Sequence, residues 1–183
     1  NCHFYMRGWI VVTPKGEEPM TPPAIACPLC LPDYGPPPVT DRLAELGAYL
    51  YLQKGCITCH GPEGRGGIDN PNSTKTTVPD HSTTASKLFL ASHEDADAFI
   101  ELVQREPDLT AIDEPPDIER FPIVVARFAN AEEIIRTGRY SAKLEPDGPE
   151  PPLQMPAWKY LVEEREIDAL LVYFVSLYEW EEG

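Results

Sequence analysis

The sequence predicts an all-α domain preceded by an extended, irregular arm, and three observations carry that reading. Prolines crowd the start of the chain, with nine of the 21 falling between Pro14 and Pro38. After Thr40, apolar residues recur at helical spacing, and no strand-like alternation of useful length appears. Helix start and stop signals punctuate the periodic segments. The expected division is a proline-rich arm over residues 1–39 and a helical domain over 40–183, with an insertion at about 85–129.

Within the arm, "MTPPAIACPLCLPDYGPPP" cannot form a long helix, because each proline removes a backbone donor and restricts the residue before it. Polyproline II segments and turns are expected. With no apolar periodicity of its own, the arm is expected to lie against a partner subunit. Thr40 then caps a helix in which Leu43, Leu46, Gly47, Leu50 and Tyr51 share one face, ending at Gly55. Glycine, proline, serine and threonine up to about Thr84 read as loop. Ser92 with Asp95 starts a second helix, aligning Ala96, Phe99, Ile100 and Val103 before Pro107.

The acidic, proline-bearing segment "EPDLTAIDEPPDIERFP" reads as loop. Asn130 with Glu133 marks a third helix start, closed by Gly138. "LEPDGPEPPLQMPAW" is loop again. The last helix runs roughly from Val162 to Tyr178, with Ile167, Leu170, Leu171, Phe174, Val175 and Tyr178 in one stripe.

The chemistry concentrates in "QKGCITCHGPEGRGG", Gln53 to Gly67. Three chemistries use such a cluster: a covalent haem, a zinc site and a dithiol switch. Cys56-Ile57-Thr58-Cys59-His60 matches the c-type haem attachment pattern. In one helical turn Cys56 and Cys59 face the same side, so their sulfurs meet two vinyl groups of one porphyrin. His60, next in the chain, swings its imidazole under the ring centre. A dithiol switch would sit in a βαβ context, which is not visible. Zinc is the better rival, because Cys27 and Cys30 form a second pair for a four-thiolate site. Its spacer is longer than usual, and it leaves His60 without a role.

A haem needs a second axial ligand, and the methionines are Met6, Met20 and Met155. Met155 sits in "PPLQMPAW", a loop directly before the final helix, stiffened by Pro156; a structural methionine more often lies on a helix stripe. Trp158 is a large flat side chain suited to a haem pocket. His3, His81 and His93 are the other candidates for that position.

With these motifs in place, residues 40–183 resemble a class I, mono-haem c-type cytochrome. That resemblance implies a cytochrome c-like helical fold around one covalent haem c. Cys56 and Cys59 would form the thioethers, and His60 and Met155 would be the axial ligands. The carbonyl of Pro71 would accept the His60 ring N–H, and Trp158 would line the pocket. Gly47 and Tyr51 would match the glycine and aromatic where the terminal helices cross, Gly47 lying against Leu170, Tyr173 or Phe174. Met155 lies further from His60 than in small members of the family, the added length being the helix around 94–105 and the loop behind it. One-electron transfer through a His/Met haem follows, at a haem edge exposed near the thioethers. Such a protein is an electron carrier rather than an enzyme.

The formal charge of −15 disfavours nucleic acid and anionic lipid and favours basic protein patches. One negative charge about 10 Å from iron favours the ferric form by only about 0.4 kcal/mol in water-like dielectric. Axial ligation therefore sets the potential, while surface charge guides docking.

No apolar run approaches the length of a membrane span. The chain begins with Asn rather than Met, so it reads as a processed or trimmed product and its missing leader says nothing of location. Outside the cluster, Cys2, Cys27 and Cys30 are left in odd number, with several pairings open.

The expected role is a subunit of an extracytoplasmic or membrane-associated respiratory or photosynthetic redox complex. Residues 1–39 would then contact other subunits, in the periplasm or at the outer face of the cytoplasmic membrane. The alternative is a freely diffusing acidic carrier. A haem enzyme or gas sensor and a four-cysteine zinc module stand further off.

Overall fold

The computed structural model describes residues 35–180. Cys2, Cys27, Cys30 and nearly all of the proline-rich arm, with its expected subunit contacts, lie outside the described residues. The regular structure is helical: α1 (Leu43–Gln53), α2 (Ile57–His60), α3 (Thr84–Leu88), α4 (His93–Arg105), α5 (Phe121–Thr137) and α6 (Glu164–Ser176). A 3-10 turn spans Pro62–Gly64. Among the described residues there are isolated antiparallel bridges but no strand, in keeping with the all-α expectation.

α1 begins after Arg42, whose N–H donates to Thr40 Oγ1 at 3.1 Å. It buries Leu43, Gly47, Leu50 and Tyr51, the face expected from their spacing. α6 opens on a capping box, in which Glu166 Oε2 accepts the Glu163 N–H at 2.9 Å. It buries Ile167, Leu170, Leu171, Phe174 and Val175. The two helices make the most extensive helix–helix contact among the described residues. Gly47 lies at their crossing, where a Cβ would fall 1.9 Å from the Ala169 carbonyl oxygen and 2.7 Å from Tyr173 Cβ. The glycine thus meets the Ala169 backbone and Tyr173 rather than Leu170 or Phe174.

α4 starts as its sequence signals require. Ser92 Oγ accepts the Asp95 N–H at 3.2 Å, and Asp95 Oδ2 accepts the Ala91 N–H at 3.1 Å. α5 departs from expectation, beginning at Phe121 and running through an exposed Asn130. Pro122 sits in its first turn, where the missing N–H has no helical partner to lose. Val124, Phe128 and Ile135 hold one buried face across Asn130, and that burial overrides the local start signal. The helix therefore crosses the expected end of the insertion at 129. No described helix is long and apolar enough to cross a membrane.

Where α4, α5 and α6 meet, Asp168 is buried and accepts from Arg165 Nη1 at 3.1 Å. The same guanidinium caps the end of α4 through the carbonyls of Val103 and Gln104. Glu132 hydrogen-bonds Asp168, and the two side a cavity of about 120 Å³ walled by Val103, Pro107, Leu109 and Phe128. Burial, then the bond to Asp168, raises the Glu132 carboxyl to about 7.

Two outcomes are expected. Gly47→Ala forces a methyl into the Ala169 backbone and destabilises the fold by about 3 kcal/mol, measured by chemical denaturation. A raised carboxylic acid keeps its proton in the folded state after the unfolded chain has released it. Stability therefore falls as pH rises from the ordinary glutamate range to about 7 and then levels off. Glu132→Gln should flatten that slope in denaturation midpoints measured across the window.

Candidate functional site

α2 is one turn of helix, begun from Gly55 in the left-handed region with φ 78°. The His60 N–H donates to the Cys56 carbonyl at 2.9 Å, and the Gly61 N–H to Ile57 at 2.8 Å. Both thiols are free and half-buried, three residues apart along this turn. Burial pushes the Cys56 thiol up to about 12, with Cys59 adding to the rise, and burial also raises Cys59. Tyr51, buried at the far end of α1, donates from Oη to the Gly61 carbonyl at 2.5 Å. The helix crossing is thereby tied to the turn that carries the cluster.

The His60 ring is largely enclosed, and its Nδ1 is the one buried side-chain polar atom without a partner among the described residues. Burial lowers the ring's pKa, and the Pro79 carbonyl opposes that shift. The Pro79 backbone thus lies beside the ring, whereas Pro71 is the residue whose carbonyl the resemblance places there. The chain path gives the reason. The Gly66 N–H donates to the His60 carbonyl at 2.8 Å, and Ile68 and Gly67 pair with Val78 at 2.8 and 3.1 Å. This rung carries Pro79 back to His60, while Pro71 stays exposed in the turn beyond it. Gly66 permits the approach, since a Cβ there would lie 2.6 Å from the Pro79 carbonyl.

His81 packs beside the cluster, its ring centroid 4.5 Å from that of His60 and 4.8 Å from that of Phe174. Burial, then the neighbouring His60, lowers its pKa to about 3, so it is neutral. Metal–imidazole bonds are about 2 Å long. Two rings on opposite faces of one metal therefore have centroids about 6 Å apart, and His81 stands beside His60 rather than across from it. His93 is exposed on α4, 3.7 Å from Asp97. His3 lies outside the described residues.

Met155 is half-buried against the core in a strap laid over the end of α5. Its N–H donates to the Arg139 carbonyl at 3.0 Å, and Arg139 returns the bond at 2.9 Å. Gly138, with φ 77°, lets the strap close in, because a Cβ would meet the Met155 carbonyl oxygen at 2.6 Å. The Trp158 N–H holds the Ile135 carbonyl at 3.1 Å, with the ring half-buried.

Asn70 joins the strap to the loop after His60. Its Nδ2 donates to the Leu153 carbonyl at 3.0 Å and to Ser141 Oγ at 3.1 Å, and its Oδ1 accepts the Leu153 N–H at 2.9 Å. Sequence patterns alone do not single out Asn70, His81 and Pro79 for these positions. "NPNS" reads as a turn, and no local signal says that its first residue pairs with a loop segment 83 positions on.

In the haem-free chain, a Cys56 thiol near 12 against an ordinary 9 leaves about a thousandfold less thiolate below pH 9. Alkylation at pH 8 should be slow in the folded chain and fast after denaturation, read as mass added per minute.

A family model described as Cytochrome c matches residues 44–177, well over half of the chain. No curated protein and no solved structure matches.

Proposed function

The chain belongs to the cytochrome c family, which binds covalently attached haem c and uses it for electron transfer, and we propose that Cys56 and Cys59 form the thioethers, with His60 and Met155 as axial ligands. One observation carries this assignment: a single helical turn presents two thiols three residues apart and, on the next residue, a largely enclosed imidazole. The haem supplies an iron that shuttles between ferric and ferrous states, and methionine ligation raises its potential relative to bis-histidine.

The protein's own residues then keep that couple simple. His60 is fixed by the Cys56 carbonyl behind it and by the packing of His81. Met155 hangs on two backbone bonds to Arg139, so neither ligand's backbone needs to move when one electron arrives. Trp158 and Phe174 help keep water from the enclosed side. Held by both His60 and Met155, the haem would leave no room at iron for a small-molecule substrate, which favours a carrier over an enzyme or gas sensor.

The protein acts as a subunit of an extracytoplasmic or membrane-associated redox complex. The proline-rich arm and the added helix and loop between α3 and α5 favour that role over a small diffusing shuttle. Tyr140 and Tyr160, 88% and 86% exposed, offer apolar docking points in or beside the segment that holds Met155. Purification of the native protein tests the subunit role, since a free monomer would contradict it.

The ligation is tested by spectroscopy. Denatured protein should retain its haem through acid–acetone extraction and stain for haem on a gel. The reduced protein should bind carbon monoxide negligibly, whereas Met155→Ala should bind it rapidly and show a lower potential. Rapid binding by the unaltered protein would contradict Met155 as ligand.

A further inference from the structure

We propose that Asn70 is the positioning residue for the distal ligand, fixing the backbone of Leu153 so that the strap presents Met155 to the iron. The inference rests on the His60/Met155 reading and adds the element that closes the clamp.

Asn70 is 3% exposed, and its side-chain amide is used as a peptide group. Oδ1 accepts from the Leu153 N–H at 2.9 Å while Nδ2 donates to the Leu153 carbonyl at 3.0 Å. That two-bond ring is the pairing a neighbouring strand would give. Nδ2 spends its second proton on Ser141 Oγ at 3.1 Å, and the Ser141 hydroxyl passes its own to the Leu153 carbonyl at 2.9 Å. Both lone pairs of that carbonyl are filled, and each polar group in the knot has a partner. Ser141 N–H also holds Gln154 Oε1, so the residue before Met155 is tied to the same segment.

The backbone of Asn70 is equally fixed. Its N–H donates to the Thr76 carbonyl at 2.7 Å, and its carbonyl accepts the Ser73 N–H at 3.2 Å. The turn places Asn72 and Thr76 in the left-handed region at φ 67° and 56°. Thr74 and Leu144 then pair the turn with the strap's other arm, through Ala142 at 2.9 Å and Asn72 at 2.7 Å. Segment 153–155 is therefore held on one side by the end of α5, through Arg139, and on the other by the loop that leaves His60. Asn70 makes that second attachment.

A thioether is a neutral, soft donor, so its hold on ferric iron depends on how firmly the chain presents it. Removing Asn70's amide strands the Leu153 N–H in a part-buried place, at up to about 1–3 kcal/mol. The ratio of Met-bound to Met-free iron should fall by about tenfold to a hundredfold. The remaining Arg139 pairing keeps the strap folded on α5, so the haem stays attached and the domain stays native.

The test compares holo wild type, Asn70→Ala, Asn70→Asp and Ser141→Ala. Readouts are the red thioether-to-ferric charge-transfer band, carbon monoxide binding by the reduced form, the potential and the unfolding midpoint. Asn70→Ala should lose most of the band, bind carbon monoxide and shift to lower potential. Ser141→Ala, which leaves both direct bonds to Leu153, should lose little of it. Asn70→Asp should lack the band at pH 8 and regain it in acid, where the protonated carboxyl donates to the Leu153 carbonyl as the amide does.

If wild type itself lacks the band, the His60/Met155 reading fails. If wild type has it and Asn70→Ala keeps band, potential and carbon monoxide inertness, the role of Asn70 is overturned. A lower unfolding midpoint with an unchanged band overturns that role equally. Should Asn70→Ala not accumulate, Asn70→Asp decides alone, because a band independent of pH refutes the proposal.

Discussion

The cysteine end of the molecule hangs from the contact between Gly47 and the Ala169 backbone. With no Cβ at Gly47, α1 and α6 come close enough for Tyr51 to pack on Tyr173 and Phe174, at centroid distances of 5.6 and 5.5 Å. Tyr51 then reaches the Gly61 carbonyl, and Phe174 stacks on His81, which abuts His60. A helix crossing is thus converted, through a chain of aromatic rings, into the position of one imidazole. Side chains packed this tightly move together or not at all, which suits a site whose two redox states differ by an electron.

The second support is polar and comes from the loops. α5 ends in Gly138, and its last turn offers the Ile135 and Arg136 carbonyls to the N–H groups of Trp158 and Lys159. The chain just beyond pairs with Met155, and Asn70 reaches across from the His60 side. Apolar packing places the cysteine turn and His60, and hydrogen bonds place the Met155 strap. The insertion joins the two, since Arg127 on α5 donates to the Lys87 carbonyl and lies over Phe89 at 3.9 Å, docking α3 on the helix that carries the strap.

Much of this is legible in the sequence, for physical reasons that differ by element. α1, α4 and α6 carry strong periodicity with local caps, so their faces and starts read directly. The cysteine cluster reads because its chemistry fits within one turn. The start of α5 is hidden, because Asn130 and Glu133 imitate a cap while the true signal is Pro122 and a buried stripe that only tertiary contact reveals. Resemblance points to Pro71, whereas the path of the loop brings the Pro79 backbone beside His60. Asn70 is unreadable, since its bonds reach 83 positions along the chain.

Charge adds a direction to the molecule. From Glu94 to Glu119 there are ten acidic residues against one basic, Arg105. Elsewhere the two signs are closer to balance, so the field has a pole on the inserted helix and loop. A separate consequence follows from where the proposed ligands sit in sequence. Cys56 and His60 need one turn of helix to assemble, whereas Met155 lies 95 residues beyond His60 and waits for α5, the strap and the Asn70 loop. Closing long loops is slow compared with forming a turn. The cysteine turn therefore forms from its own few residues, whereas the Met155 strap closes only once α5 and the Asn70 loop are in place.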